Sequence, residues 1–586
     1  MWRSMSIHFA DYLTIALFAL FIIGSGQYFS RNVRGTKDYF AAGGVMPWWL
    51  SGISFTMAAK TAFIFVTYNE IAYLHGITGI LIYWMVPPAM LLGGYFLAHR
   101  WRRARILTPL EFTERRYNGS IHQLLMWGGL PLRLLDNGLR ILTTGIFITA
   151  IMRNSGITLL QFLILLGAVM IIYSFLGGQW VVMITDFVLA VIVIVATSML
   201  FVLSIKAMGN VSGFIAQAPP GFFKPFKSPY DLTYGIFTMF ALSLLSLSTS
   251  WAWVQKYNTV RSEKDARRMV YLVALVTTVT PVIYFFPGIV ARIVLPGISN
   301  AKEVYGAMSL HLLPNGLIGL MLVAMLSATM AAMGSEYNTI SGIFTMGLYR
   351  KRFASRVSEK NELRFGRLAT VVIGLATLVL AIMFSFLKGL TLLDIMIRFS
   401  SALCPPLMIP VIAGLLWKKI NARGVVRGVL VGVITGTILV TANMILTQVY
   451  GEAMKTNPRI DFWLRSGWTS ISTVLNISAT LIAMWFGSRH RPTPADEAQR
   501  AEAFFRDLER PFEIELKPEK QTFSPMRTVG NALLVFGLMF TVTPIYLLMF
   551  TSDRRAFRLN LIASLAIVIS GFLLRVAGRR RLLRPD

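Results

Sequence analysis

The sequence predicts an all-α polytopic membrane protein with about fifteen transmembrane helices, because apolar runs near the length that crosses a bilayer recur along the whole chain. Two further observations agree. Of 586 residues, 55% are hydrophobic and 14% charged, and mean hydropathy is +0.62, which leaves no stretch for a sizeable water-soluble domain. The basic residues behind the net charge of +29 collect in alternate connecting loops, the positive-inside pattern of a membrane protein. The lipid bilayer is therefore an expected partner and nucleic acid is not. Inside hydrocarbon each backbone group must pair within its own segment, so the spans are helices.

The spans run over residues 9–29, 47–72, 78–98, 121–152, 157–175, 180–205, 235–256, 269–292, 315–348, 367–387, 391–416, 424–447, 467–487, 528–550 and 559–577. The first follows a short segment carrying Arg3 and reads as a retained helix, since no small-residue cleavage site ends it. The second opens at Pro47-Trp48-Trp49 and carries Lys60 in its middle. An ionisable group at mid-membrane costs about 2.5 to 3.5 kcal/mol on insertion scales, so it pairs internally or serves a transport path. Glu70, Asp186 and Glu336 are its candidate partners. In span four Arg133, Asp136 and Arg140 share one helical face, as a self-paired ladder or as a site presenting Arg140 to an anionic solute.

Span seven carries Ser243, Ser246, Ser248, Thr249 and Ser250, hydroxyls that re-pair an unwound backbone, line a polar cavity or pack between close helices. In span eleven Asp394 and Arg398 are an i, i+4 pair, and Cys404-Pro405-Pro406 is expected to break the helix. Residues 99–119, 350–366 and 575–586 are strongly basic, which puts the N-terminus outside and the C-terminus in the cytoplasm, in a plasma or bacterial inner membrane. Arg554, Arg555 and Arg558 fall on the outer side and depart from that rule, leaving the topology of the last two spans open. Residues 488–527 form the one sizeable cytoplasmic loop. A helical pattern over Ala498–Phe505 reads as an amphipathic segment on the membrane or bundle, or as a solvated connector. Asn210-Val211-Ser212 is an isolated glycosylation sequon.

Catalytic motifs are absent, so no enzyme and no cofactor are expected. The six histidines are scattered, with no zinc-protease pair, no Walker loop and no nucleophile elbow. The single cysteine, Cys404, excludes an intramolecular disulfide and a cysteine metal cluster.

Short words in order carry a resemblance. Asp38-Tyr39-Phe40-Ala41-Ala42-Gly43-Gly44, Pro47-Trp48-Trp49, Gly52, Ala72-Tyr73 and Gly76 open it. Thr108-Pro109-Leu110-Glu111-Phe112 with Glu114-Arg115-Arg116-Tyr117-Asn118 follows the third span, and Gly177-Gly178, Val182 and Thr185-Asp186 mark the fifth-to-sixth hairpin. Trp251, Gln255, Arg261, Ala266 and Arg267 close the seventh span, and Ile343-Phe344-Thr345-Met346 the ninth. Over roughly residues 9 to 490 the chain resembles the sodium:solute symporter family. The resemblance implies a ten-helix core of two inverted five-helix repeats, spans 2–6 and 7–11, as in the leucine-transporter fold. Solute and ions would bind where the first helix of each repeat is broken. The implied organisation is a first helix and loop over 1–46, a transport core over 47–416, peripheral helices over 417–487, the loop 488–527, and terminal helices with a basic tail over 528–586.

The family's sodium site takes backbone carbonyls of the second span and two hydroxyls of the ninth. Aligned here on Pro47-Trp48-Trp49 and Ile343-Phe344-Thr345-Met346, these positions are Met57 and Lys60, then Ala331 and Ala332, which have no hydroxyl. The expectation is that the Lys60 ammonium stands in for the ion on those carbonyls. The alternative is a structural Lys60 with sodium elsewhere, a register slip bringing in Ser327, Thr329 or Ser335. Asp186 and Glu336 are candidates near the ion; Ser246, Ser248, Thr249, Ser250, Trp251, Gln255 and Arg140 are candidates along the solute path. The function implied is secondary transport of a small organic solute by alternating access, coupled to Na+ by resemblance. The alternatives are proton-coupled or uncoupled transport, and a transport-deficient sensor or scaffold whose 488–527 loop meets a soluble partner.

Overall fold

The computed structural model describes residues 7–30, 44–153, 156–176, 179–353, 358–386, 391–490, 492–514 and 524–582. Asp38–Gly43 and Gly177-Gly178 of the family words lie outside the described residues. Thirteen helices are long and apolar enough to cross a membrane, a bent pair forms a fourteenth, and the shorter apolar helix Leu159–Ser174 falls where the fifth span is expected.

In chain order the helices are α1 (Phe9–Ser30), the bent pair α2 (Trp48–Ala59) and α3 (Ala62–His75), α4 (Thr78–Tyr83), α5 (Val86–Arg103), α6 (Glu111–Arg116), α7 (Gly119–Ile151), α8 (Leu159–Leu176) and α9 (Gln179–Met208). The second repeat comprises α10 (Leu232–Thr249), α11 (Trp251–Thr259), α12 (Glu263–Val294), α13 (Leu317–Phe344), α14 (Glu359–Ser385) and α15 (Leu392–Leu416). Then come α16 (Ala422–Val449), α17 (Trp468–Arg489), α18 (Ala495–Glu509), α19 (Pro525–Phe550) and α20 (Arg554–Leu582). Polar side chains start many of them by accepting an orphan N–H: Asn118 for α7, Ser262 for α12, Asn421 for α16 and Ser524 for α19.

α13 is the central pillar, with 94% of its most apolar window buried, and it packs on α1, α2, α7, α9, α11 and α14. Its start is held by Asp11 of α1, whose Oδ1 accepts the N–H groups of Gly316 and Gly319, each at 2.7 Å. A buried carboxylate on the free donors of a helix start is favourable, and it ties a helix outside the repeats to the core. α16 and α17 form one peripheral hairpin and α19 and α20 another.

Two expectations fail in α15. The helix is continuous through Pro405, Pro406 and Pro410. Pro405 and Pro406 lack the N–H groups that would serve the Ser401 and Ala402 carbonyls, but the Asn476 amide of α17 donates to both, at 2.8 and 2.9 Å. Asp394 does not pair with Arg398. It caps the helix in a reciprocal box with Thr391 and faces Arg465 at 3.9 Å, because a carboxylate at N3 is drawn to the orphan N-terminal donors.

One end of the bundle, the face carrying Arg103, is strapped by the segment from α18 to Ile514. Phe504 stacks on Phe112 with centroids 5.8 Å apart, and Arg500 donates to the Tyr117 carbonyl at 3.0 Å. Beyond the helix, Ser262 and Glu513 form an antiparallel bridge, and Phe512 lies under the guanidinium groups of Arg102 and Arg105. The amphipathic reading of Ala498–Phe505 therefore holds, with the bundle as the surface it covers. Burial pushes the Glu497 carboxyl above its usual range, although Oε1 accepts the Ala422 N–H at 2.6 Å. At the opposite face Gly76, at φ +62°, ends α3 so tightly against the 209–231 loop that a Cβ would lie 1.9 Å from the Phe222 carbonyl oxygen.

Candidate functional site at the two helix breaks

The first helix of each repeat is interrupted near its middle. α2 and α3 bend by 58° across the extended residues Lys60 and Thr61, and α10 gives way to α11 at Ser250, whose ψ is 132°. The freed backbone groups find partners. The Lys60 N–H returns to the carbonyls of Thr56 and Met57, the Thr61 hydroxyl accepts the Phe63 N–H, and Thr329 on α13 accepts the Ala62 N–H at 3.2 Å. Thr329 also meets Thr144 of α7 at 2.8 Å.

The Lys60 ammonium is not where the sequence reading puts it. Its backbone N–H already occupies the Met57 carbonyl, and the side chain leaves the break toward α12. There Nζ donates to Thr280 Oγ1 at 2.6 Å and lies 4.8 Å from the centre of the Tyr284 ring. Among the described residues no carboxylate comes within salt-bridge distance of it, so Glu70, Asp186 and Glu336 are not its partners. Ala331 and Ala332 are fully buried in α13.

Asp186 instead faces Lys256, a residue of α11 that sequence reasoning missed. Lys256 Nζ donates to Ser54 Oγ at 2.7 Å and Ser335 Oγ at 3.0 Å and lies 3.8 Å from Asp186 Oδ2, to which Ser54 also donates. All four residues are fully buried. The available signal was only a lysine beside Gln255 at the last position of the seventh span; its partners come from three other helices.

Between the breaks and the face carrying Gly76 lies a cavity of about 190 Å³. Thr61, Arg133, Asp136, Arg140, Ser243, Ser246 and Ser400 supply its polar wall, while Tyr68, Trp253 and Met408 are among its apolar lining. The expected charge ladder is only partly self-paired. Arg140 donates to Asp136 at 2.7 Å and leaves Nη1 without a hydrogen bond, whereas Arg133 turns to Ser250 at 2.6 Å and Glu336 at 3.9 Å. Of the other path candidates, Ser246 lies beside Met408 and Cys404 in the cavity, while the Thr249 hydroxyl bonds its own helix at Leu245. The Ser248 carbonyl accepts from Trp101 Nε1 at 2.9 Å. Trp251 packs against Gly129, under Arg133, and Gln255 donates to the Leu107 carbonyl at 3.0 Å, so both sit beyond the cavity toward the Arg103 face. A larger hollow of about 780 Å³ is almost wholly apolar, and its walls belong to the 416–420 turn and α17. It is a crevice on the flank and touches neither break.

The model of the sodium:solute symporter family matches residues 39–432. The sodium/glucose cotransporter of Vibrio parahaemolyticus is 24% identical over 458 residues, 72% of this chain and 83% of that protein. The sodium/myo-inositol cotransporter 2 of Rattus norvegicus is 28% identical over 473 residues, 71% and 67% of the two chains. The sodium/sialic acid symporter NanT of Aliivibrio fischeri is 26% identical over 381 residues, 62% and 74%. Among solved structures, a Na+-coupled sialic acid symporter in a substrate-bound outward-open state superposes with a TM-score of 0.66 at 21% identity, over 82% of this chain and 98% of that one. A nucleobase-cation-symport-1 family transporter in a closed conformation gives 0.52 at 12% identity, over 78% and 96%. These likenesses carry the fold, the leucine-transporter type with its inverted repeats. Matched by the family's model over more than half its length, this integral membrane protein belongs to the sodium:solute symporter family.

Proposed function

We propose that the protein is a secondary transporter that moves a small polar organic solute by alternating access, with the cavity between the two helix breaks as its binding site. The observation that carries this reading is the cavity itself: a polar-walled space at the broken first helices of both repeats. Arg140, with one buried nitrogen unpartnered, is the group that would receive an anionic or strongly accepting function of the solute. Ser246 and Thr61 offer hydroxyls to the rest of it. By the positive-inside rule the Arg103 face is cytoplasmic and the cavity opens outward. Sodium is the coupling ion in the names of the relatives. Aligned on Ile343-Phe344-Thr345-Met346, the family's hydroxyl pair falls on Ala331 and Ala332, and that alignment favours a proton-coupled or uncoupled cycle over sodium at that place.

Reconstitution into vesicles tests the reading. Neutral sugars, polyols and carboxylated sugars would be offered under sodium, proton and no imposed gradient. Uptake of one of them, reduced at least tenfold by Arg140→Ala, is the expected result. A folded protein that carries none of these classes under any gradient would leave the sensor or scaffold reading in its place.

A further inference from the structure

The cage around Lys256 has the composition of a monovalent cation site. Two serine hydroxyls and a carboxylate, contributed by α2, α13 and α9, converge on one point, and hard cations take oxygen ligands of these kinds. The point is filled by the chain's own ammonium. Nζ gives one donor to Ser54 Oγ and one to Ser335 Oγ and turns its remaining charge to Asp186 Oδ2. The other oxygen of Asp186, Oδ1, has no hydrogen-bond partner, so the carboxylate depends on this cation for its neutralisation. The ammonium lies against each of the three side chains a metal ion would need, so a second cation would have to displace it.

We infer that Ser54, Asp186 and Ser335 form a cation site permanently occupied by Lys256, and that removing the ammonium turns the site into one that binds sodium. The consequence for coupling rests on the transport reading, but the site does not. Lys256 arrives from α11, the second half of a broken helix, while Ser54 belongs to the first half of the other. A tethered cation thus fastens the two broken helices to each other and to the pillar α13, a task that a dissociable ion would perform only while bound.

The test is the thermal unfolding midpoint of the detergent-purified full chain in sodium against potassium at equal ionic strength, since a ligand that binds only the folded state raises apparent stability. The wild type should have the same midpoint in both salts. Lys256→Ala should unfold earlier in potassium and recover by roughly one to a few degrees in sodium. Adding Asp186→Asn to it should abolish the recovery. Lys256→Met, which keeps the apolar stem and leaves the oxygens free, serves as a second variant. Equal midpoints in the two salts for a folded Lys256→Ala or Lys256→Met would reduce the cluster to a structural ion pair and overturn the inference. So would a wild-type sodium shift that Asp186→Asn removes, or failure of sodium to yield either variant in folded form. Because the readout needs no solute, a failed uptake assay would strike the transport reading and leave this result standing.

Discussion

Lys60 and Lys256 are both buried, yet their surroundings predict opposite responses to the same substitution. No carboxylate among the described residues depends on Lys60, so Lys60→Met should leave the unfolding midpoint unchanged or raise it. Lys256→Met strands Asp186 in the core and should cost about 3 to 5 kcal/mol in potassium, read by chemical or thermal unfolding. Equal effects of the two would contradict this difference. Lys60 was legible from sequence because it interrupts an apolar run. Its direction was not, since that depends on which backbone carbonyls its own N–H takes at the break. Lys256 stood at a predicted span end, where a lysine ordinarily reaches water, and nothing local to it names Ser54, Asp186 or Ser335. At the strap, the raised carboxyl of Glu497 means that the docked state holds a proton more tightly than the free one. Its contribution is full below the ordinary carboxylate range and is lost as pH rises through the raised value. Glu497→Gln should therefore gain on the wild type in protection of α18 from hydrogen exchange between about pH 4 and pH 8. A pH-independent gap would contradict the burial argument.

At the scale of elements, the positions of all fifteen apolar helices were readable, because length and hydropathy are properties of a segment alone. What happens inside them was not, because repair comes from elsewhere. Pro405 and Pro406 read as a break, and the amide that prevents it sits on α17. Asn476→Leu should leave the Ser401 and Ala402 carbonyls unpaired and lower stability by about 1 to 3 kcal/mol. Asn476→Gln or Asn476→Asp, each with an oxygen still near the site, tests whether donation is the property required: Asp should behave like Leu. If Asn476→Leu unfolds with the wild type, the amide is dispensable and α15 holds by packing alone. The two breaks in α2–α3 and α10–α11 show the reverse case. No proline or glycine announces them; the family resemblance located them, and at the first of them Thr61 and Thr329 supply hydroxyls that take up freed backbone N–H groups.

For the whole molecule, the cavity lies on the half of the bundle that carries Gly76 and the 209–231 loop, and the lone Cys404 lines it. A small charged thiol reagent should therefore modify Cys404 faster from the side on which a tag in the 209–231 loop is exposed than from the other. Faster modification from the Arg103 face would mean that the resting conformation is the opposite one. The strap lies on the other side of the bundle from the cavity. Residues 512–514 grip Arg102, Arg105 and Arg261, while α18 grips Phe112, Tyr117 and Ala422, so one short stretch of chain is buckled across the ends of both repeats and a peripheral helix. Parting those ends requires Phe512 to slide from under two guanidinium groups. In the proposed transport cycle, the strap is a clip fastened across one jaw by the protein's own polypeptide, and the chemistry of that clasp would tune how readily the jaw opens.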